Sequence, residues 1–162
     1  MKKTLICMLV FVLMFTNLSS VLANPISAPP ANQISADLDF AEVEWTLSSE
    51  KETQTRGVPN IVFLKSSISK SSSTSVTISA KTETDIVCVF VGGQMTIQRW
   101  INNSWTNYQS YTFWSYNSAR ASSTRTVTVP SGYYYRLVVA HMASSADGSV
   151  GKQSTTTSIF VN

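Results

Sequence analysis

The sequence predicts an all-β fold over residues 57–162, an antiparallel sandwich of two sheets with seven or eight strands. Apolar and polar side chains alternate along several short segments of this region, as in strands with one buried and one solvated face. Turn residues separate these segments, and the spacing of an amphipathic helix does not occur among them. The region is also close in length to one immunoglobulin-like sandwich, which has about 100 residues.

Individual elements follow from local patterns. Ile86–Val91 is apolar on both faces, which predicts a central strand, and the glycines at 92 and 93 predict a bulge or turn after it. Asn102 and Asn103 predict a hairpin turn, because asparagine tolerates positive φ. Tyr134 follows the turn at 130–132 and is the predicted tyrosine corner of an immunoglobulin-like or fibronectin-III-like sandwich. The other predicted strands are Asn60–Lys65, Val76–Lys81, Met95–Ile101, Trp105–Trp114, Arg125–Val129, Tyr133–Met142 and Thr156–Val161.

Residues 1–23 have the pattern of a secretory signal peptide. Lys2 and Lys3 precede the apolar run Leu5–Phe15, and small residues stand at Val21 and Ala23. We therefore expect cleavage after Ala23 and a secreted protein. The apolar run spans only about half of a bilayer core as a helix, so no stable transmembrane segment is expected after signal removal.

Cleavage would leave Cys88 as the only cysteine, because Cys7 lies within the signal peptide. One cysteine cannot form an internal disulfide, so the apolar core must supply the stability. Cys88 lies in the apolar run 86–91, where we expect it to be buried as a small hydrophobic residue.

Residues 24–56 are predicted to be a flexible acidic linker or pro-segment. They hold six acids and two bases, whereas residues 57–162 hold eight bases and three acids. A solvated tail fits this pattern, and so does a pro-segment that masks the basic domain and is cut near Arg56. Residues 35–47 fit helical and strand spacing equally well, so their secondary structure stays open.

Two short motifs resemble a family of small secreted Gram-positive bacterial proteins of unknown function. These motifs are Ser-Ser-Ile-Ser-Lys at 66–70 and Gly-Tyr-Tyr-Tyr-Arg at 132–136, and the Asn-Asn-Ser-Trp turn at 102–105 fits the middle of such sequences. The resemblance covers roughly residues 60–162. It implies a β fold and an extracellular location, and it implies no activity.

Residues for catalysis are few in this region. His141 is the only histidine and the acids are Glu83, Asp85 and Asp147. A hydrolase would need His141 beside Asp147 and a serine, or beside Cys88, and no nucleophile-elbow motif is present. Glu83 and Asp85 share a face of an extended chain and could serve glycoside hydrolysis, but we expect them to be solvated charges before a strand. We predict no catalytic residues, no metal site and no cofactor.

The densest chemical signal is an aromatic segment at 99–116. The candidate ligand-binding residues in it are Trp100, Trp105, Tyr108 and Trp114. If Met95 and Ile97 point inward, Trp100 points outward and faces Trp105 across the turn. These rings form either part of the core or an exposed binding face.

These observations favour a secreted, non-enzymatic binding or structural module at the cell surface. The expected partners are a cell-wall polymer, a glycan or another extracellular protein, and nucleic acid is not expected. Two alternatives are a membrane-active or antimicrobial protein released from the acidic segment, and a small hydrolase that uses His141.

Overall fold

The computed structural model describes residues 27–35, 39–46 and 57–162. The predicted signal peptide 1–23 lies outside them. Within these ranges no helix is long and apolar enough to cross a membrane. The elements are a 3₁₀ turn at Ala31–Gln33 and the strands β1 Phe40–Thr46, β2 Ile61–Ser72, β3 Ser75–Ile101, β4 Ser104–Thr128, β5 Tyr133–Ser144, β6 Ser149–Thr155 and β7 Ile159–Val161.

The described strands form one antiparallel sheet, which confirms the all-β antiparallel prediction. The order is β1-β2-β3-β5-β6, with β4 paired to β3 and β7 paired to β5. Several segments predicted as separate strands are continuous, since β3 runs for 27 residues and β4 for 25. These two strands form a long hairpin, and the other strands are arranged along it.

Strand β3 changes its neighbour halfway along its length. Residues 75–84 pair with β2, and residues 90–99 pair with β5. Strand β4 follows the opposite edge of β3 through both stretches. Between them, β3 advances from Glu83 to Cys88 while β4 advances only from Arg120 to Ser118. Extra residues on one strand bend and twist a ladder, so the sheet curls into a half-barrel at this position.

The concave side of the sheet holds the apolar core. Its members come from both halves of β3 and from the strands beside each half, because alternate residues of every strand point inward. Burying each large aliphatic side chain contributes about 1.5–3 kcal/mol. The fully buried apolar residues include Ile61, Ile68, Val76, Ile78, Val91, Met95, Ile97, Leu137, Val139, Ile159 and Val161.

The run 86–91 is not buried on both faces, so this prediction was wrong. Val87 is 67% exposed and Val89 is 53% exposed. Residues 85–89 lie between the stretches of β3 that pair with β2 and with β5, so one edge has no ladder partner there. Cys88 is buried, as predicted.

The asparagine turn is confirmed. Asn102 and Asn103 have φ values of 50° and 59° and join β3 to β4. Positive φ at both central residues matches the right-handed twist of the strands, which is why asparagine suits this turn.

Residues 35–47 fit helical and strand spacing equally well in the sequence, and the described residues Phe40–Thr46 among them form a strand. Phe40–Thr46 forms β1, and Ala41 lies opposite Ile68 in the ladder with β2. The sheet therefore extends into the acidic residues 24–56.

The tyrosine corner is formed by Tyr135, so the prediction of Tyr134 was wrong. The Tyr135 hydroxyl donates a 2.7 Å hydrogen bond to the Pro130 carbonyl, and its ring is fully buried. Burial raises the pKa of Tyr135 to about 12. Tyr134 points to the opposite face, where its ring contacts Phe160. Three consecutive tyrosines left this choice open to an error of one residue, and a shift of one residue reverses the face.

Replacing Tyr135 by phenylalanine should lower the free energy of unfolding by about 1–2 kcal/mol, because the Pro130 carbonyl loses its donor. Urea denaturation measures this change. Tyr134→Phe is the control, since it keeps the ring beside Phe160 and should change stability by less than about 0.5 kcal/mol. Equal effects of the two substitutions would contradict the assignment.

Candidate functional site

Trp100 and Trp105 lie opposite each other on the outward face of the β3–β4 hairpin, as predicted. Their Cα atoms are ladder partners and their ring centroids are 5.2 Å apart. Met95 and Ile97 are fully buried on the inward face, which agrees with the alternation that placed Trp100 outward. The pair is nevertheless only partly open to solvent, because Trp100 is 8% exposed and Trp105 is half-buried.

The N-terminal segment 27–35 covers this tryptophan pair. Trp105 donates from Nε1 to Oε1 of Gln33 at 2.7 Å, and Ser27 hydrogen-bonds Asn103 in the turn. The far end of the segment is held by Ser158, whose backbone N–H and hydroxyl both donate to the Gln33 carbonyl. The sequence did not predict this contact, because residues 27–35 lie in a part of the chain that has the composition of a linker.

A row of polar side chains continues from the covered pair across three strands. The Arg136 guanidinium lies 4.4 Å from the centre of the Trp105 ring and donates from Nε to Gln98 at 2.9 Å. Gln98 in turn donates to Asn107 at 2.9 Å. Burial lowers the pKa of Arg136 from its usual value. Arg136, Gln98 and Asn107 are thus bonded to one another beside Trp105, whereas the buried Nε1 of Trp100 has no hydrogen-bond partner among the described residues.

Tyr108 does not join the tryptophan pair. Ile97 pairs with Gln109 and Gln98 pairs with Asn107, so Tyr108 is the extra residue of a bulge. Its ring contacts Tyr135 and the Arg99 guanidinium. Tyr108 thereby belongs to the surroundings of the tyrosine corner.

Trp114 is the most exposed of the three predicted site tryptophans. It lies on the outward face of β4 opposite Gly92 and is 38% exposed. A Cβ atom at position 92 would lie 2.8 Å from Cε3 of the Trp114 ring and 1.9 Å from the Phe113 carbonyl oxygen. Glycine is therefore required at 92, where the indole rests on the β3 backbone.

Other apolar side chains extend this surface over three strands. Phe90 meets the Trp114 ring edge-on at 5.5 Å and is the ladder partner of Tyr116, which is 70% exposed. On the other side of Gly92 the ladder partner is Met142, which is 42% exposed. We call Phe90, Trp114, Tyr116 and Met142 the Trp114 patch. The sequence offered no signal for Met142, because its position depends on the register of β5.

The four predicted site residues do not form one platform. Trp105 and Trp114 are separated by about 30 Å of strand at 3.3 Å per residue. Trp100 and Trp105 lie under segment 27–35, Tyr108 packs beside Tyr135, and Trp114 forms a separate surface.

His141 lies in the core, where hydroxyl groups surround it. Its Nδ1 is 2.7 Å from Thr82 Oγ1 and its Nε2 is 2.9 Å from Ser154 Oγ. Thr82 donates its own proton to the Gly92 carbonyl, so it accepts from Nδ1–H and leaves Nε2 as the acceptor for Ser154. Ser66 completes the network at 2.6 Å from Ser154.

This network makes His141 a neutral, buried side chain. Burial lowers the pKa of His141 to about 4, and no atom of its ring reaches solvent. Its hydrogen-bond partners are hydroxyls, and the acid and thiol considered for a hydrolase lie elsewhere. Asp147 is exposed in the turn that contacts Ser145, and Cys88 contacts Thr84.

Glu83 and Asp85 have separate partners. Glu83 forms an ion pair with Lys81 at 2.8 Å, and Asp85 accepts a hydrogen bond from the Asn60 backbone at 2.8 Å. In the part of the chain that the structure covers, no three histidine, cysteine or acidic residues are grouped to hold a metal ion.

No known protein-family model matches the chain, and a search of curated proteins found no match either.

The buried neutral His141 predicts a pH-dependent stability. An unfolded histidine titrates near pH 6.5, whereas the folded one titrates near 4, so folding favours the neutral form. This contribution is complete above pH 6.5 and is lost as the pH falls toward 4, by about 3 kcal/mol.

Denaturation of wild type and His141→Gln at pH 7 and pH 4 measures this loss of unfolding free energy. The carboxylates titrate in both proteins, so the wild type should lose about 3 kcal/mol more than the variant. Equal losses would contradict a neutral buried His141.

Proposed function

We propose that this chain is a secreted, non-enzymatic binding module that holds a glycan or cell-wall polymer on the Trp114 patch. The observation that carries the proposal is the Trp114 indole, which lies against Gly92 and is 38% exposed. Flat aromatic faces stack on sugar rings, and the exposed Tyr116 ring lies beside Trp114 on the same face of the hairpin.

The Trp114 ring is held in place before any ligand arrives. The backbone at Gly92 supports it from below and the Phe90 ring restrains one edge. A restrained ring loses little conformational freedom on binding, so contact with a ligand is converted efficiently into affinity. Tyr116 and Met142 widen the platform on either side.

The expected location supports a ligand outside the cell, because the predicted signal peptide would deliver the protein there. Residues 24–162 carry ten bases and nine acids, so the ligand is recognised through the aromatic surface and not through net charge. The resemblance to small secreted Gram-positive proteins agrees with this location.

We also propose that the strands form a sandwich of two facing sheets. Strand β2 does not pair with β5 or β6 in the ladder, yet Ser66 of β2 hydrogen-bonds Ser154 of β6 and His141 of β5. Bonds between inward side chains of strands that are not ladder partners support two layers that face each other across the core.

A second candidate function is a membrane-active protein released from an acidic pro-segment. It is favoured by the acids of β1 and the residue before it, which contact lysines of the basic region. Glu42 and Glu44 lie 3.0 and 3.4 Å from Lys65, and Asp39 lies 3.6 Å from Lys70. Removal of this segment would leave both lysines without these ion pairs.

Replacing Trp114 by alanine should weaken retention on insoluble Gram-positive cell wall by about tenfold or more, because the stacking surface is lost. Trp114→Phe should retain part of the affinity. Sedimentation of the secreted protein with increasing amounts of wall material measures the dissociation constant.

The matched control is Trp105→Phe, on the same strand and outward face but under segment 27–35. It should bind within about twofold of wild type, since the change is remote from the Trp114 patch. Equal retention of wild type and Trp114→Ala would overturn the proposal, as would a loss specific to Trp105→Phe.

Mass spectrometry of the culture supernatant separates the two candidate functions. The binding module is expected to begin at Asn24 and to keep β1. A mature form that begins near Gly57 would instead support release from a pro-segment.

A further inference from the structure

A cavity lies where the two ends of the curled sheet approach each other. Strands β1 and β6 are the terminal strands of the path β1-β2-β3-β5-β6. Between them is a cavity of about 340 Å³, lined by Val43 and Trp45 of β1, Leu64 of β2 and residues 152–155 of β6. Lys152 crosses this opening, with Nζ 4.4 Å from the centre of the Trp45 ring. This seam cavity is therefore bounded by the paired strands β1 and β2 on one side and by β6, which shares no ladder with either, on the other.

Lys152 differs from the other lysines that the structure describes. Lys65, Lys70 and Lys81 each form an ion pair with a carboxylate at 3.6 Å or less. No carboxylate of the described ranges lies within ion-pair distance of Lys152, whose ammonium lies over the Trp45 ring. An ammonium at the edge of an apolar cavity attracts an anion, and a cation–π contact is weak enough to be exchanged for one.

The rest of the cavity wall is divided between apolar and polar groups. Val43, Trp45 and Leu64 present apolar surface, and Leu64 is buried. On the β6 side, Ser154 is held by His141 and Ser66, so its hydroxyl occupies a defined position in the wall. A mostly apolar wall with a few oriented polar groups is typical of small-molecule sites, and the volume is at the lower end of their range of about 300–1,000 Å³.

We propose that the seam cavity binds a small amphipathic carboxylic acid. Its aliphatic or aromatic body lies against Val43, Trp45 and Leu64, and its carboxylate forms a charge-assisted hydrogen bond with the Lys152 ammonium. The site is separate from the Trp114 patch and does not depend on the proposed function. Loss of one binding activity would leave the other intact.

The test is a titration of the secreted protein with octanoate, octanol and acetate, followed by ¹H–¹⁵N NMR. Octanoate should shift the Trp45 indole signal and the amides of residues 152–155. Octanol has the body without the charge and should bind about tenfold more weakly, and acetate has the charge without the body and should not bind measurably.

Variants of Lys152 assign the charge contact. Lys152→Ala should lower octanoate affinity about tenfold, to the level of octanol, and should leave octanol affinity unchanged. Lys152→Arg should retain binding, because guanidinium also pairs with carboxylate. Lys81→Ala is the matched control, since Lys81 is a partly exposed lysine of another strand that pairs with Glu83.

Three results would overturn the proposal: octanoate and octanol of equal affinity, equal effects of Lys152→Ala and Lys81→Ala, or octanoate shifts confined to residues away from β1 and β6. A thermal melt of each variant confirms that it is folded, and Lys152→Arg keeps the test decisive if Lys152→Ala unfolds. Retention of these variants on cell wall should equal that of wild type, which distinguishes failure of this site from failure of the Trp114 patch.

Discussion

The change of neighbours along β3 is the constraint on which the rest of the structure depends. Strands β2 and β5 pair with the same edge of β3, so they cannot occupy the same stretch of it. β3 exchanges β2 for β5 between Thr84 and Phe90, where the β3–β4 ladder also bulges. The bend turns the two halves of the hairpin toward a common core. It also leaves Val87 and Val89 exposed and places the Trp114 patch directly after the bend.

The same curl explains the polar interior and the open seam. Inward residues of β2, β3, β5 and β6 converge on His141, and hydroxyls satisfy both of its ring nitrogens. A buried histidine with two hydroxyl partners is stable only when neutral, since a charged ring would lose its water without gaining a counter-ion. Because the sheet stops at a half-barrel, β1 and β6 meet through side chains, and the seam cavity lies between them.

Local patterns in the sequence predicted the elements that depend on a single strand or turn. Alternation placed Trp100 outward, and the paired asparagines located the hairpin turn. Features set by more distant contacts were not predictable in this way. Trp105 is hydrogen-bonded by a segment far away in the chain, Tyr108 is displaced by a bulge, and the exposure of Val87 follows from the exchange of β2 for β5. The neighbours of Trp114 required the register of three strands, which no single segment contains.

A map of cross-strand nuclear Overhauser effects along β3 in the isotope-labelled secreted protein tests the central claim most directly. The structure predicts contacts of Ile78 with Ile68 of β2, of Gly92 with Met142 of β5, and of the Gly92 α-protons with the Trp114 ring. Contacts from β2 that continue past Phe90 would contradict the exchange of neighbours. The absence of a contact between the Gly92 α-protons and the Trp114 ring would contradict the position of the indole against Gly92.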